Sequence, residues 1–246
     1  MTDYVGGAGS DSWTITPADG TSTVDGGGGT DTLVIDWSSS DSYYQTGSSD
    51  VGGSAFTLDY ATGAQVFVSN VETLTVKYGS GDGGFTANAN SVVTFDGGAG
   101  TDAFTGQFGA STKNITFTLN QTAGSTSTFT GQGSKVKNVE QVSITTGSGN
   151  DSLTGGSLND SFAAGTGTNT VNGGAGDDQI TSTGADTVDG GADYDTWYGN
   201  YGDLTTALTV TESGGVHSLS NGGSIKNVEN FQLTTGSGND AFTITT

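Results

Sequence analysis

The chain contains no cysteine and no arginine, and Pro17 is its only proline. Without cysteine no disulfide can form, which is compatible with export but does not require it. Five lysines face 26 acidic residues, so the net charge is −21. Nucleic acids and anionic membranes attract positively charged surfaces, and neither is an expected partner. No apolar run approaches the length of a membrane span, so we expect no membrane insertion.

Hydrophobic residues are also scarce, at 31% of 246 residues, whereas there are 44 glycines. Low hydrophobicity with high charge is typical of disorder, because too little apolar surface is buried to offset the entropy of the chain. Regular repeats rich in threonine, valine and aromatic residues argue against permanent disorder. We therefore expect order that depends on cation binding, since neutralising the acids removes their repulsion and makes binding part of the folding free energy.

Six copies of one short phrase follow one another from Thr146 to Tyr198. Each copy is a glycine-rich turn of six residues that ends in an acid or an amide, followed by three residues with an apolar side chain in the middle. The copies are TGSGNDSLT, GGSLNDSFA, AGTGTNTVN, GGAGDDQIT, the shortened STGADTVD and GGADYDTWY. The middle residue should point inward from a very short strand. These residues are Leu153, Phe162, Val171, Ile180, Val188 and Trp197.

The turns have the composition of a cation site. Glycines allow a sharp bend that directs several carbonyls to one side, and the sixth position adds a carboxylate, a ligand set that suits calcium. Two nonapeptides make one coil, and stacked coils place equivalent loops about 4.8 Å apart, so an ion midway lies about 2.4 Å from each. One edge should carry Asp160, Asp178 and Asp195. The other should carry Asp151, Asn169 and Asp186, with the amide as its weak member.

The GGxGxDxUx phrase, with U a large apolar residue, resembles the RTX or hemolysin-type calcium-binding repeats of bacterial secreted proteins. The resemblance implies a parallel β-roll with calcium in its turns, folding after export, and a C-terminal secretion signal. Such repeats occur in toxins, proteases, lipases, adhesins and S-layer proteins. The chain departs from the pattern in the shortened fifth copy, at Asn169, and at Leu158, where a glycine is usual.

Related single copies occur elsewhere in the chain. GGAGSDSWT and GGGGTDTLV begin 20 residues apart, so Asp11 and Asp31 should face a shared ion, with Asp19 serving the other edge. YGSGDGGFT has Gly83 in place of the acid, so a site there would depend on Asp82. The predicted metal ligands are Asp11, Asp31, Asp102, Asp151, Asp160, Asp178, Asp186, Asp195 and Asp240.

A second signature, Asn-Val-Glu, recurs at 70–72, 138–140 and 227–229, each time after a segment of alternating apolar and polar residues. The alternation predicts strands with one buried face. The glutamate could bind metal or pair with Lys77, Lys135, Lys137 or Lys226. We favour a structural role in which the asparagine closes a turn and the valine enters the core.

Other motifs do not indicate a functional site. Ser134 and Lys137 match the S-x-x-K pattern of serine nucleophiles but lack its companion motifs, and His217 has no second ligand at zinc spacing. Aromatic residues could form a sugar-stacking surface or fill a sparse core, and Trp197 occupies a core position. The residues concerned are Tyr43, Tyr44, Trp197, Tyr198 and Tyr201. We expect no enzymatic activity.

The sequence thus predicts an all-β, right-handed parallel β-roll or β-helix solenoid running through 1–246, with modules 1–77, 78–145 and 146–234 and a fourth starting at 235–246. We expect a segment of a larger protein, secreted to the bacterial cell surface, that binds calcium and belongs to an S-layer or adhesin. Like subunits or a cell-surface glycan would be its further partners. The alternatives are a folding and secretion module of a secreted enzyme or toxin, and a carbohydrate-binding module.

Overall fold

The computed structural model describes residues 1–39, 45–49, 56–59, 65–88 and 91–245. Within these ranges almost all regular structure is β-strand. There is no α-helix among them, and a 3₁₀ turn spans Pro17–Asp19. No helix of the described residues is long and apolar enough to cross a membrane.

The strands are short and follow one another closely. In the first half of the chain they are β1 (Thr2–Val5), β2 (Ser12–Ile15), β3 (Ser22–Asp25), β4 (Thr32–Asp36), β5 (Gln45–Ser49), β6 (Phe56–Asp59), β7 (Gln65–Ser69), β8 (Thr73–Lys77), β9 (Gly83–Asn88), β10 (Val93–Asp96), β11 (Ala103–Gln107), β12 (Thr116–Thr118) and β13 (Thr126–Thr128). They continue with β14 (Lys135–Lys137), β15 (Gln141–Thr145), β16 (Ser152–Thr154), β17 (Ser161–Ala163), β18 (Thr170–Ala175), β19 (Gln179–Ser182), β20 (Thr187–Ala192), β21 (Thr196–Asn200), β22 (Thr209–Ser213), β23 (Val216–Leu219), β24 (Ser224–Lys226), β25 (Asn230–Thr234) and β26 (Ala241–Thr245).

The first compact unit comprises Met1–Phe108 and Asn120–Glu140. One of its sheets has the order β1-β3-β7-β6-β5-β9-β11, and the other has the order β13-β14-β10-β8-β4-β2. Most neighbours are parallel, but β6 is antiparallel to both β5 and β7, and β13 is antiparallel to β14. The alternating segments between loops therefore form hairpins that extend the parallel sheets.

The second compact unit comprises Gly109–Leu119 and Gln141–Thr246. Strands β15, β17, β19, β21 and β25 form one parallel stack, and β12, β16, β18, β20 and β24 form another. Successive nonapeptides thus alternate between two sheets, so two of them make one coil. A hairpin meander, β24-β23-β22, then leads to β26, which is parallel to β22.

The middle apolar residue of each nonapeptide points into the space between the two sheets. Phe162 pairs with Ile180 and Ile180 with Trp197 along one stack, and all three are at most 1% exposed. Leu153, Val171 and Val188 form the equivalent column in the other sheet and are equally buried. Burying one such side chain contributes about 1.5–3 kcal/mol. The predicted all-β parallel β-roll is confirmed, and so is the inward position of these residues.

Aromatic rings fill the core of the first unit. Phe85, Phe95 and Phe104 stack at centroid separations of 5.4–6.5 Å, and Phe129 packs on Phe104 at 5.5 Å. Tyr78 contacts Phe95 edge to face at 5.1 Å. Large rings supply much buried area per residue, which suits a chain with few hydrophobic residues.

Candidate metal centre

The turns between strands are made by glycine. In the loop GGAGDD, Gly174 and Gly176 have φ of 114° and 97°, a region that side chains with a Cβ rarely adopt. Gly174 lies near the end of β18 and Gly176 directly after it, so the two bend the backbone as it leaves the strand towards β19. The aspartate that follows, Asp178, is 1% exposed, and its carboxylate lies under the turn.

A chain of hydrogen bonds links the sixth positions of stacked loops along one edge of the second unit. The Asp160 N–H donates to Asp178 Oδ1 at 2.7 Å, and the Asp178 N–H donates to Asp195 Oδ1 at 2.9 Å. Asp160 Oδ1 in turn accepts from the Val142 N–H at 2.7 Å. We call such a series an aspartate ladder. In this ladder one carboxylate oxygen of each aspartate accepts a hydrogen bond from the neighbouring coil, and the other oxygen does not take part.

The opposite edge carries a second ladder. The Asp151 N–H donates to Asn169 Oδ1 at 2.9 Å, and the Asn169 N–H donates to Asp186 Oδ1 at 2.7 Å. Asp151 Oδ1 accepts from the Ile115 N–H. The two edges therefore carry the residue sets that the nonapeptide period predicts, although their role as metal ligands stays a prediction.

The isolated loops have shorter versions of the same arrangement. The Asp11 N–H donates to Asp31 Oδ1 at 2.8 Å, so the two aspartates lie in neighbouring coils, and the ion that they are expected to share stays a prediction. Asp240 Oδ1 accepts from the Leu208 N–H at 2.7 Å. Asp102 is buried, with a backbone N–H that donates to Glu140 Oε2 at 2.8 Å.

The second carboxylate oxygen of several ladder residues has no obvious partner. Among the atoms that the structure describes, six buried carboxylate oxygens accept no well-aligned hydrogen bond, although the Gly83 N–H lies close to the Asp102 carboxylate, and we call them the open oxygens. They are Asp31 Oδ2, Asp102 Oδ1, Asp102 Oδ2, Asp151 Oδ2, Asp178 Oδ2 and Asp195 Oδ2. A buried charged group without a partner is costly. The open oxygens are therefore where this structure calls for a cation.

Backbone carbonyls converge on the same places. A Cβ added to Gly173, the first residue of its loop, would overlap both Asp178 Oδ2 and the carbonyl oxygen of Gly190 in the next coil. Gly155 has the same surroundings, with Asp160 Oδ2 and the Gly173 carbonyl. Two acceptors held against each other repel unless something positive lies between them. This geometry fits a hard cation with oxygen ligands, such as calcium.

Asn169 provides an internal comparison. Its Oδ1 continues the ladder, while its Nδ2 donates to the Gly165 carbonyl at 3.4 Å. The amide N–H₂ thus supplies the positive partner that a carboxylate at this position would need from an ion. The ladder bond needs only an oxygen acceptor, so it does not explain why the other positions carry a negatively charged aspartate. Binding a cation would account for that charge.

The electrostatics of the ladders agree with this interpretation. Burial, followed by the nearby charge of Glu140, raises the pKa of Asp102 to about 8. Burial raises the pKa of Asp178 to about 7, with Asp160 and Asp195 adding to it, and burial raises that of Asp160 to about 6. Without a cation these carboxylates hold protons more firmly than free aspartate does.

Carboxylates alone do not complete a site. In the described residues no three Asp, Glu, His or Cys side chains lie close enough to hold a metal ion. Any bound ion must therefore draw on loop carbonyls as well as on the aspartates, which is how calcium reaches six to eight oxygen ligands. Bound calcium would supply the positive charge that the open oxygens lack.

A family model described as the RTX calcium-binding nonapeptide repeat matches residues 145–180 and 164–196, with 4 copies. The chain carries RTX calcium-binding repeats. The resemblance identified in the sequence is thereby confirmed for the tandem array. Among curated proteins, none matches the chain.

Outside the RTX array, two further aspartates considered in the sequence accept hydrogen bonds from their own surroundings. Asp82 is exposed and accepts from the Thr101 N–H at 2.7 Å, while the Tyr78 ring lies where a side chain at Gly83 would be. This loop replaces its sixth-position carboxylate by an aromatic ring. Asp19 accepts from the N–H and the hydroxyl of Thr16, which occupies it within the 3₁₀ turn. A role for Asp19 on the edge opposite Asp11 stays a prediction, as does a site at Asp82.

The three Asn-Val-Glu signatures share one backbone geometry. Asn70, Asn138 and Asn227 have φ of 53°, 48° and 50°, so each closes a left-handed turn as expected. The valines Val71 and Val139 are buried, and Val228 is half-buried.

The lysines near the signatures pair with aspartates. Lys77 lies 2.9 Å from Asp36, Lys137 lies 3.0 Å from Asp96, and Lys226 lies 2.8 Å from Asp189. The glutamates instead accept from the backbone of loop aspartates, a role that the sequence analysis missed. No signal in the sequence points to this role, since the aspartates that recur before the loop glycines, at 25, 96 and 189, bond to the asparagines instead.

The remaining candidates have structural roles. Ser134 is buried, with its hydroxyl bonded to the Val93 N–H and the Ser91 carbonyl, so it is not a nucleophile. His217 is half-buried and packs on Phe231 with a centroid separation of 4.3 Å. Trp197 and Tyr201 are buried core residues.

Fewer tyrosines are therefore available to form a sugar-stacking surface within the described residues. Tyr198 is half-buried on β21. Tyr43 and Tyr44 lie outside the described residues.

Proposed function

We propose that the chain is a folding-competent, calcium-dependent segment of a secreted structural protein, an S-layer or an adhesin, at the bacterial cell surface. The observation that carries the proposal is the set of open oxygens, buried aspartate oxygens without a partner among the described residues, which recur in both compact units. The RTX array supports calcium as their counterion.

Folding and binding are coupled in this proposal by electrostatics. At net charge −21 the chain repels itself, and the roll buries aspartates in stacked loops. Extracellular modules bind calcium with dissociation constants of about 10⁻⁴ to 10⁻³ M, so the sites would be empty in the cytosol and filled outside the cell. Binding to the folded state alone then stabilises it by mass action. The chain would be exported unfolded and would fold outside.

A non-enzymatic role agrees with the sites that the structure describes. Its carboxylates serve the ladders, and the S-x-x-K serine is engaged in backbone hydrogen bonds. A folding module of a larger enzyme or toxin would use the same calcium chemistry. A catalytic or pore-forming domain encoded in the same gene would decide for that alternative.

The proposal is tested by a circular dichroism titration with calcium from a metal-free start, with magnesium as the control. We expect a cooperative gain of β signal with calcium that saturates at sub-millimolar to millimolar levels, and little change with magnesium, which demands near-ideal octahedral geometry. A chain fully folded without calcium would overturn the proposal. Finding the protein only in the cytosol of its source cells would overturn the extracellular part alone.

A further inference from the structure

The three Asn-Val-Glu signatures stand in the place of a further calcium loop. In an ordinary coil, the residue after the sixth-position aspartate donates its N–H to the aspartate carbonyl of the preceding coil, as Thr196 does to Asp178 at 2.9 Å. Asn230 donates to the Asp195 carbonyl at 2.9 Å in the same way, directly after Glu229. Glu229 therefore occupies the position of an aspartate in the next coil.

The glutamate side chain continues the ladder. The Asp195 N–H donates to Glu229 Oε2 at 2.8 Å, as Asp178 donates to Asp195 one coil earlier. The Asp31 N–H donates to Glu72 Oε2 at 2.7 Å, and the bond from Asp102 to Glu140 completes the set. These three series of bonds each end on a glutamate, whereas the ladder from Asp151 through Asn169 ends at Asp186.

The asparagine supplies the second half of the loop. A Cβ on Gly26 would overlap the Asn70 carbonyl oxygen and lie 2.6 Å from Asp31 Oδ2. At Gly6, one coil earlier, the Gly26 carbonyl and Asp11 Oδ2 take these places. The Asn70 carbonyl therefore replaces the carbonyl of a first loop glycine. Asn138 beside Gly97 and Asn227 beside Gly190 repeat the arrangement.

The asparagine side chain fixes this position. Asn70 Nδ2 donates to Asp25 Oδ1, Asn138 Nδ2 to Asp96 Oδ1, and Asn227 Nδ2 to Asp189 Oδ1, each at 2.7 Å. Each acceptor directly precedes the first glycine of the loop being closed. The signature is thus a three-residue substitute for a six-residue loop, with its carbonyl at the first residue and its carboxylate at the third.

The aspartate opposite each signature carries open oxygens. Asp31, Asp102 and Asp195 are each 0% exposed, and the backbone N–H of each donates to the glutamate carboxylate of its signature, an arrangement that we call a closure. Asn169 shows that a ladder bond needs only an oxygen acceptor, so a glutamine would serve where all three closures have glutamate. The aspartate carboxylate with its open oxygen, the glutamate carboxylate and the asparagine carbonyl together are a ligand set for a divalent cation.

We propose that each Asn-Val-Glu segment closes a calcium site, in which Glu72, Glu140 and Glu229 are ligands paired with Asp31, Asp102 and Asp195. The asparagine carbonyl is a further ligand at each closure. This inference rests on the calcium binding proposed above but adds three sites outside the GGxGxD phrase. The last loop before each signature stacks on an earlier loop on one side, and on its other side it would otherwise have no partner with which to share an ion.

The test counts bound calcium by equilibrium dialysis of the full chain. The triple variant Glu72→Gln, Glu140→Gln, Glu229→Gln keeps an oxygen that can accept the ladder bond but removes the charge. Glu72 and Glu229 are exposed, so the change leaves the core intact. Across a series of free calcium concentrations, we expect the half-saturation concentration of three sites per chain to rise roughly tenfold, because each altered site loses a charged ligand.

Matched variants separate the alternatives. Glu212→Gln removes the same charge from strand β22, away from the closures, and should leave the count unchanged. Should the triple variant fail to fold, Glu72→Gln and Glu229→Gln alone should each raise the half-saturation concentration of one site by the same factor. Glu72→Asp, which keeps the charge on a shorter side chain, should weaken calcium binding at this site as well.

The outcomes distinguish the two proposals. A wild type that binds no calcium overturns the proposed function and this inference with it. A wild type that binds calcium, with glutamine variants that bind the same number at the same midpoint, overturns only the inference and leaves the glutamates as hydrogen-bond acceptors.

Discussion

An aspartate and an asparagine at the same loop position make the same ladder bond in this molecule but differ in what their second side-chain atom contacts. Both accept the ladder bond through Oδ1, as Asp178 and Asn169 show. They differ at the second atom, since the amide of Asn169 satisfies a carbonyl of its own loop and Asp178 Oδ2 is an open oxygen. The ladder is therefore compatible with either residue, and the need for a cation comes from the charge.

Exchanging charge at these positions tests that separation. Asp178→Asn should keep the ladder but raise the calcium concentration at the folding midpoint, roughly tenfold if one ion loses a charged ligand. The metal-free chain should become more ordered, because a buried charge is removed. Asn169→Asp should do the reverse on both counts. Calcium titrations followed by circular dichroism measure both effects.

The neighbouring aspartate is the control for this exchange. Asp177 is exposed, and its Oδ1 accepts from the Tyr194 N–H at 3.1 Å, a bond that an amide can also accept. Asp177→Asn removes the same charge within the same loop and should shift the midpoint little. Equal shifts for Asp177→Asn and Asp178→Asn would mean that net charge, not the ladder position, sets the calcium requirement.

At the scale of the element, each closure depends on an asparagine whose backbone is in the left-handed conformation. Asn138 has φ of 48°, donates to Asp96 through Nδ2, and accepts from the Gly124 N–H through Oδ1. Asparagine tolerates this backbone region better than most residues with a Cβ. One residue thus sets the turn and anchors it to two other segments of the first unit.

Two substitutions of Asn138 separate these contributions. Asn138→Ala loses the side-chain bonds and places a Cβ at positive φ, which should lower the free energy of unfolding by about 1–3 kcal/mol. Asn138→Gly loses the same bonds without the backbone strain and should cost less. Thermal unfolding in saturating calcium measures the difference. Equal losses for the two variants would show that the turn geometry contributes nothing.

The sequence predicts the parallel coils well because their signal is local and repeated. Phe162, Ile180 and Trp197 recur at a fixed place in each phrase, and each lands in the same buried column. The aspartate positions follow from the same period. The division into modules within one solenoid stays a prediction, as does metal binding by the individual aspartates.

The closures and hairpins could not be predicted in the same way. Glu229 bonds to Asp195, 34 residues away, across a segment with no nonapeptide spacing. Nothing in three residues without glycine indicates that they replace a loop of six. The antiparallel pairing of β6 and of β23 depends likewise on which neighbours the hairpin turns make available, and alternation alone does not choose between parallel and antiparallel partners.

At the scale of the whole molecule, the acidic charge opposes the fold that the repeats encode. Twenty-six acids act against five lysines, and three of these lysines are engaged in ion pairs at the closures or beside them. The ladders then bring buried carboxylates into line along the loops. Protons or cations must therefore accompany folding, and either of them can lower the electrostatic cost.

This competition predicts an inverted pH dependence for the metal-free chain. The pKa of Asp102 in the fold is raised from 3.8 to about 8, and that of Asp178 to about 7, both chiefly by burial. Between these values and 3.8 the folded chain holds protons that the unfolded chain has released. The free energy of unfolding therefore falls as pH rises across this window and levels off above about pH 8. Below about pH 4 both states are protonated and the penalty disappears.

The measurement is the β signal and thermal midpoint of exhaustively dialysed, metal-free chain from about pH 5 to about pH 9. Light scattering should accompany it, because the sequence pI is about 4.1 and association increases near it. We expect more order at the acidic end without calcium, and the opposite trend with subsaturating calcium, because the ion competes with the protons. Asp102→Asn should flatten the metal-free profile by removing the carboxyl with the highest of these pKa values. A metal-free midpoint that rises with pH would show that these carboxylates are not desolvated in the fold.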